Sequence, residues 1–352
     1  MNVFSMSRLA LAICVLASGC ATPVRKQGPA LFCPPPPDEP RLQFLTVIGS
    51  SLDIEKENKF LSFLTGQREQ PKAFMKPYGV ATEKGRILVC DSTGGAIEVI
   101  DLVNRKFDIW MPAGGGALLR PIDMAIDASG TRYVADADRG QVVIFDPAGN
   151  CIGSIGDKET MKPTGVAVGG GRLYATNLKK SCVEVYDTAT RKLLFSIPRE
   201  GAEKDARMFA PTNIDLDSEM RLYVSDTAGF HLKVYDAEGK MIRKFGEVGT
   251  SYGQFVRPKG IAVDREHRIY NVDAATELVQ IFDDQNRLLL FFGKGDDTHA
   301  PLVLPAGICI DYENVDYFRQ YAEPGFELEY LVIVVSQLGE QNLVIYGFGH
   351  KK

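Results

Sequence analysis

Apolar and polar positions alternate along most of the chain after residue 40. In runs such as RLYVSD (221–226) and HLKVYD (231–236), β-branched and aromatic side chains occupy every second position. A period of two predicts short strands with one buried face. Gly, Asp and Asn separate the runs, as in DAEG (236–239), and these residues favour turns. The pattern therefore predicts an all-β chain of many short strands.

The strand pattern recurs in six copies. Each copy opens with a proline, continues with a small or polar residue two positions later, and then alternates. The opening prolines lie 42 to 48 residues apart and are Pro77, Pro121, Pro163, Pro211, Pro258 and Pro305. Two further runs follow in each copy, and a fourth is visible in MIRKFG (241–246) and LLLFFG (288–293). A period of about 46 residues with four strands is typical of propeller blades, so we predict a six-bladed β-propeller with four-stranded blades.

The last copy lacks a fourth strand before the chain ends at Lys352. The run RLQFLTVIG (41–49) has the same alternation and precedes the first copy. Used as the outer strand of the last blade, this run would close the ring and remove an exposed sheet edge. We therefore predict one propeller over residues 41–350, with the N-terminal strand completing the last blade.

The copies resemble NHL repeats, most clearly GQFVRPKGIAVD (253–264) followed by HRIYNVD (267–273). The resemblance extends over residues 41–349 and implies the same six-bladed fold. The passage PPPPDEPRLQFL (34–45) is similar to that of exported bacterial lipoproteins that carry such a propeller. Because propellers are scaffolds for many functions, the resemblance implies no particular activity.

The first twenty residues, MNVFSMSRLALAICVLASGC, have the layout of an export signal. Their end resembles the bacterial lipobox, in which the cysteine after small residues is acylated and becomes the new N-terminus. We expect 1–19 to be a signal peptide and Cys20 to anchor the protein in the membrane, with an ordinary cleaved signal as the alternative. Residues 20–40 hold seven of the 19 prolines and predict a stiff stalk. Because Ala21 rather than Asp follows the cysteine, we expect the outer membrane, in either leaflet.

Composition excludes several classes of function. The formal net charge is −5 and no basic block occurs, which argues against nucleic-acid binding. The seven cysteines include no CxxC spacing, so zinc ribbons, thioredoxin chemistry and c-type haem attachment lack support. With four histidines in the chain, a three-histidine zinc site is also unsupported.

The residue before the opening proline is basic in four copies. These residues, which we call the basic mouth, are Lys76, Arg120, Lys162 and Arg257. A ring of blades would bring them to one end of the central channel, where converging cations attract an anionic ligand. The alternative is that they are solvated and paired with loop acids such as Glu159 and Glu247.

Two copies depart from the glycine found two positions after the opening proline. They carry Asp123 and Asn213, and Asp215 also replaces a small residue. Because first strands line the channel of a propeller, these side chains predict a polar site there. Their oxygens suit Ca²⁺, which is the one cofactor these residues leave open, although we expect none. The alternative is that they bond to neighbouring backbone or buried water, with no cofactor at all.

The sixth copy carries an insertion, residues 312–329, on the face opposite the basic mouth. Its aromatic residues are Tyr312, Tyr317, Phe318, Tyr321 and Phe326. Aromatic side chains in a surface loop are typical anchors for a protein partner. The alternative is a short helix that folds onto its own blade and covers an edge.

Together, these features favour a lipid-anchored cell-envelope propeller that binds or scaffolds a protein or other envelope partner, rather than an enzyme. A lactonase-like hydrolase or lyase with a divalent cation in the channel is the alternative. Beyond the three channel residues, no nucleophile elbow, phosphate loop or HExxH motif supports catalysis. The oligomeric state is left open by the sequence.

Overall fold

A computed structural model describes residues 30–55, 70–294 and 302–352. These residues form six antiparallel sheets in a ring, five with four strands and one with five. The six-bladed propeller predicted from the repeat is thereby confirmed. The predicted signal peptide and Cys20 lie outside the described residues. No helix within the described part of the chain is long and apolar enough to cross a bilayer.

The strands follow the chain in blade order. Two precede the first blade: β1 (Phe32–Cys33) and β2 (Leu42–Ile48). Blade 1 contains β3 (Pro77–Glu83), β4 (Arg86–Asp91), β5 (Ala96–Asp101) and β6 (Lys106–Trp110). Blade 2 contains β7 (Pro121–Ile126), β8 (Arg132–Asp136), β9 (Gln141–Phe145) and β10 (Cys151–Ile155). Blade 3 contains β11 (Val166–Gly169), β12 (Arg172–Asn177), β13 (Cys182–Asp187) and β14 (Leu193–Ile197).

The second half of the ring repeats this arrangement. Blade 4 contains β15 (Pro211–Leu216), β16 (Leu222–Asp226), β17 (His231–Tyr235) and β18 (Met241–Phe245). Blade 5 contains β19 (Pro258–Val263), β20 (Ile269–Asp273), β21 (Leu278–Phe282) and β22 (Leu288–Phe292). Blade 6 contains β23 (Pro305–Asp311), helix α1 (Val315–Phe318), β24 (Phe326–Ser336) and β25 (Leu343–Lys351). The first strand of each blade faces the central channel, and each first strand contacts the next one around the ring.

Both ends of the chain build the last blade. Strand β2 pairs antiparallel with β25, from Leu42 opposite Phe348 to Ile48 opposite Leu343. The predicted closure by the N-terminal strand is thus confirmed. Strand β1 adds a fifth strand outside β2, and the Phe32 ring lies 5.3 Å from that of Phe326. The end of the proline-rich segment therefore packs against the propeller.

Apolar side chains fill the junctions between neighbouring blades. The described residues form six separate buried clusters, and each lies between two adjacent blades. Between blades 1 and 2, for example, Leu88 and Cys90 of β4 pack with Met124 and Phe145 of blade 2. Successive side chains of a strand point to opposite faces of the sheet. Each blade therefore provides apolar side chains to the junctions on both of its sides.

A buried side chain at the end of each second strand holds the loops around it, and we call it the loop clamp. In blade 2, the Asp136 carboxylate accepts N–H bonds from Leu119 at 2.6 Å and Arg120 at 3.1 Å. It also accepts bonds from Asp138 at 3.2 Å and Arg139 at 3.0 Å. The loop clamps of the other blades are Asp91, Asn177, Asp226, Asp273 and Ser336. Each therefore fixes the loop that enters its blade.

We expect Asp136→Ala to lower the free energy of unfolding by about 3–5 kcal/mol, because it leaves several backbone N–H groups without acceptors. Asp136→Asn should cost less, since Asn177 performs the same role in blade 3. The control is Asp284→Ala at an exposed turn position, which should change stability by less than about 0.5 kcal/mol. Urea unfolding measures all three, and equal midpoints for the Asp136→Ala and Asp284→Ala variants would contradict the clamp.

Candidate functional site

First strands of neighbouring blades approach closely at the glycines two residues after the opening prolines. A Cβ atom built on Gly79, Gly165 or Gly260 would lie 2.5–2.8 Å from a backbone carbonyl oxygen of a neighbouring blade. Any larger side chain in these conformations would push adjacent first strands apart. The glycines therefore permit neighbouring first strands to approach closely around the channel.

The four residues of the basic mouth are exposed on one face, each directly before the opening proline of its blade. Burial raises the pKa of the Tyr78 phenol to about 12, and the positive charges of Arg257, Arg120 and Lys76 partly oppose that rise. These three positive charges thus act on the same phenol, whereas Lys162 is not among the charges that act on it.

Ion pairing at the basic mouth is limited. Arg120 Nη1 lies 3.8 Å from Asp138 Oδ1, and both side chains are about half exposed. Among the described residues, neither Glu159 nor Glu247 forms an ion pair with a residue of the basic mouth; Glu247 instead accepts a bond from Gln254. Positive charge therefore remains available to a ligand.

Lys259 is a site residue that the sequence analysis missed. It follows the opening proline of blade 5 and is only 9% exposed. Its ammonium has no hydrogen bond or ion pair with any part of the chain that the structure describes, and its Nζ lies 5.9 Å from the Tyr78 ring centroid. Burial, with Arg257 nearby, lowers the pKa of Lys259 to about 8. The available signal was that Lys259 is the one charged residue at this position in the six copies.

The predicted channel residues line one cavity between the first strands. Asp123, Asn213 and Asp215 line a cavity of about 330 Å³. Asp123 Oδ2 accepts the N–H of Val166 at 3.1 Å, and Asp215 Oδ2 accepts that of Val263 at 2.8 Å. Each carboxyl group therefore bridges to the first strand of the next blade, as in the alternative role given above.

Both carboxyl groups titrate well above the usual range. Burial, with a smaller contribution from the charge of Asp215, raises the pKa of Asp123 to about 7. Burial likewise raises the pKa of Asp215 to about 7, with a contribution from the charge of Asp217. Within residues 30–55, 70–294 and 302–352, no set of three or more His, Cys, Asp or Glu side chains is placed to hold a metal ion.

The aromatic insertion packs against its own blade and blade 1. Phe318 and Phe326 are buried in the cluster between these blades, and Tyr317 and Tyr321 pack against that cluster while half buried. Tyr312 is also half buried, and its hydroxyl accepts the N–H of Arg265 at 3.0 Å. The insertion thus covers the junction as a short folded segment, which leaves its tyrosines only part of their surface for a partner.

No protein-family model matches the chain, and no curated protein matches its sequence. Solved structures match its fold. A protein of unknown function from Bacteroides thetaiotaomicron has a TM-score of 0.59 at 15% identity, covering 87% of this chain and 75% of that one. An auxiliary nutrient binding protein from Bacteroides ovatus has a TM-score of 0.59 at 14% identity, covering 78% and 69%.

A streptogramin B lyase also matches, with a TM-score of 0.53 at 13% identity, covering 78% of this chain and 94% of that one. The similar structures thus include a binding protein and an enzyme. At these identities the likeness extends to the propeller fold, and the function has to be argued from the site.

The raised pKa values of Asp123 and Asp215 predict a loss of stability with rising pH. An unfolded aspartate ionises near pH 4, whereas these two ionise near 7 in the folded chain. These two groups therefore lower the free energy of unfolding progressively as the pH rises from 4 to 7. The Asp123→Asn/Asp215→Asn variant lacks this loss. Between pH 4.5 and 8, its free energy of unfolding should therefore rise by at least about 2 kcal/mol relative to that of wild type. Urea unfolding across this range tests it, and a constant stability difference would contradict the raised pKa values.

Proposed function

We propose that the protein is a lipid-anchored propeller of the cell envelope that binds an acidic segment of a partner protein at its basic mouth. The observation that carries this proposal is Lys259, a largely buried side chain whose ammonium lacks a hydrogen-bonding partner in the described chain. A charge partly removed from water without a partner is unfavourable, so an anion that reached this ammonium would gain a stronger interaction than at an exposed lysine.

The surrounding charges direct an anion toward Lys259. Arg257 and Lys259 are close enough for the first to lower the pKa of the second, and Arg120 and Lys76 complete the positive field around Tyr78. Converging like charges raise the local concentration of an anionic group. A carboxylate at Lys259 would restore its usual pKa, so binding above pH 8 is expected to take up a proton.

Apolar side chains beside the basic mouth favour a protein partner over a simple anion. Met75, Leu119 and Phe209 each lie two residues before an opening proline and are exposed. Met75 and Leu119 border the cations directly, because Lys76 and Arg120 follow them in the chain. Exposed apolar groups next to charged ones suit a segment that combines acidic and apolar side chains.

The binding proposal has positive support in Lys259, whereas the lactonase-like alternative rests on the channel carboxyl groups alone. The likeness to the streptogramin B lyase concerns the fold. The likeness to the nutrient binding protein concerns the fold equally. Binding is therefore argued from Lys259 and the basic mouth of this chain.

We expect Lys76→Gln/Arg120→Gln/Arg257→Gln to weaken partner binding at least tenfold, because it removes the field that attracts the anion. The matched control is Lys84→Gln/Lys106→Gln/Lys240→Gln, which removes three exposed positive charges from the opposite face. Pull-down from detergent-solubilised envelopes identifies the partner, and fluorescence anisotropy with a labelled Glu/Phe peptide gives an affinity independent of it. Equal losses in both variants would indicate only a net-charge effect and contradict a site at the mouth.

Lys259→Met should reduce peptide binding further while raising stability, because methionine fills similar space without a buried charge. Higher salt should weaken the wild-type interaction more than that of the mouth variant. Together, these two readouts separate a specific contact with Lys259 from general attraction.

Cys20→Ala should release the protein from membranes and leave the propeller folded, since Cys20 is the proposed site of acylation. Cys33→Ala is the matched control and should stay in the membrane fraction, because Cys33 lies at the edge of the last blade, where its Sγ donates to the Phe291 carbonyl at 3.2 Å. Fractionation of outer membranes measures both variants. A Cys20→Ala protein that remains membrane-bound would overturn the anchor.

A further inference from the structure

One rim of the propeller carries a stacked pair of exposed aromatic rings. Tyr252 lies in the loop that enters blade 5, and Phe291 lies on β22, the outer strand of that blade. Their ring centroids are 3.8 Å apart and the rings are 19° from parallel, yet Tyr252 is 58% exposed and Phe291 37%. Among the described residues, the one other exposed aromatic side chain is Phe209, in the loop that enters blade 4. The pair is therefore the main aromatic feature on the outer surface of the described chain.

Aliphatic side chains extend the surface around this pair. Leu289 lies two residues before Phe291 on β22, so both side chains are on the same face of the strand, and Leu289 is also exposed. Val248 is exposed in the loop that carries Tyr252. We call Val248, Tyr252, Leu289 and Phe291 the aromatic rim. Single exposed apolar residues are ordinary, whereas a group of them is typical of a contact surface.

The N-terminal segment joins the propeller beside the aromatic rim. Strand β1 is the outermost strand of blade 6 and contacts β22 of blade 5. The Cys33 Sγ atom donates to the carbonyl oxygen of Phe291 at 3.2 Å. Residues 20–30 alone connect the expected acylation site to the described part of the chain, and a segment of about ten residues reaches at most about 35 Å. The position of β1 therefore determines which surfaces can approach the membrane.

A tether of that length cannot bring the far side of the ring to the membrane. A domain of about 300 residues is about 50 Å across, and blade 3 lies opposite blade 6 because the first strands contact one another in chain order. Leu193 and Leu194 on the outer strand of blade 3 are exposed to a similar extent, 51% and 48%, but they lie beyond the reach of the tether. Among the surfaces within reach, the aromatic rim is the one with stacked exposed aromatic rings.

We propose that the aromatic rim rests on the lipid surface that holds the acylated Cys20, with Tyr252 and Phe291 at the level of the headgroups. The proposal rests on the lipid anchor of the proposed function. A tyrosine suits this level because its ring is apolar while its hydroxyl stays hydrated. The anchor keeps the rim at a high effective concentration next to the lipid, so a small contact surface is sufficient. The channel axis then runs along the membrane, and the basic mouth stays open to a partner.

Lipid photo-cross-linking of the acylated protein tests the proposal. The protein, purified from membranes, is placed in vesicles of phosphatidylethanolamine and phosphatidylglycerol that contain a phosphatidylcholine probe with a diazirine near its headgroup. After irradiation and proteolysis, mass spectrometry locates the lipid adducts. We expect adducts in 248–252 and 289–291 at least fivefold more often than in 193–194. Equal yields in the two regions, or adducts confined to other surfaces, would overturn the proposal, as would cross-links between the rims of two copies in place of lipid adducts.

Two variants show whether the aromatic rings hold the rim at the lipid. Tyr252→Ser/Phe291→Ser should reduce the adducts at Val248 and Leu289 at least fivefold, whereas the matched control Leu193→Ser/Leu194→Ser should leave them unchanged. Both variants should still float with the vesicles through Cys20. Protein that floats without rim adducts contradicts this proposal alone, whereas protein without an acyl group that fails to float contradicts the anchor as well. If the rim variant does not fold, the adduct map of the wild type decides the question.

Discussion

The loop clamp is the interaction on which the rest of the propeller depends. A buried carboxylate accepting several N–H bonds joins the loop that enters a blade to the turn between its second and third strands, as Asp136 does with Leu119, Arg120 and Arg139. Hydrogen bonds to an ionised acceptor are stronger than those between neutral groups. Because the clamp bonds to the N–H of Lys76, Arg120 and Arg257, it also fixes where those cations leave the backbone. The basic mouth is thus a direct product of the interaction that builds the blades.

Blade 4 adds a charge to this arrangement. Lys233, almost wholly buried, places its Nζ atom 2.9 Å from Asp226 Oδ2, so its clamp combines backbone bonds with a buried ion pair. Removal of either partner would destabilise the protein, because the remaining buried charge would have no counter-charge. Lys233 and Lys259 therefore make a useful contrast. The first is buried against a carboxylate, whereas the second is buried without one and is the residue that favours a ligand.

The channel holds groups of opposite charge close together. The positive charges of Arg257, Arg120 and Lys76 act on the Tyr78 phenol, and so does the negative charge of Asp123, which lines the cavity. The glycines allow neighbouring first strands to approach closely around these groups.

The sequence predicts the fold of this protein more fully than its candidate site. The proline spacing and the period-two alternation determine the number of blades, the closing role of β2 and the face that carries the basic mouth, because these follow from where each strand begins. Tertiary structure alone decides the burial of Lys259 and the packing of Phe318 between blades 6 and 1. Each of these depends on how closely neighbouring blades approach, and that distance comes from packing across the junctions. The repeat predicts the structure of a single blade, whereas the candidate site is formed by side chains from several blades.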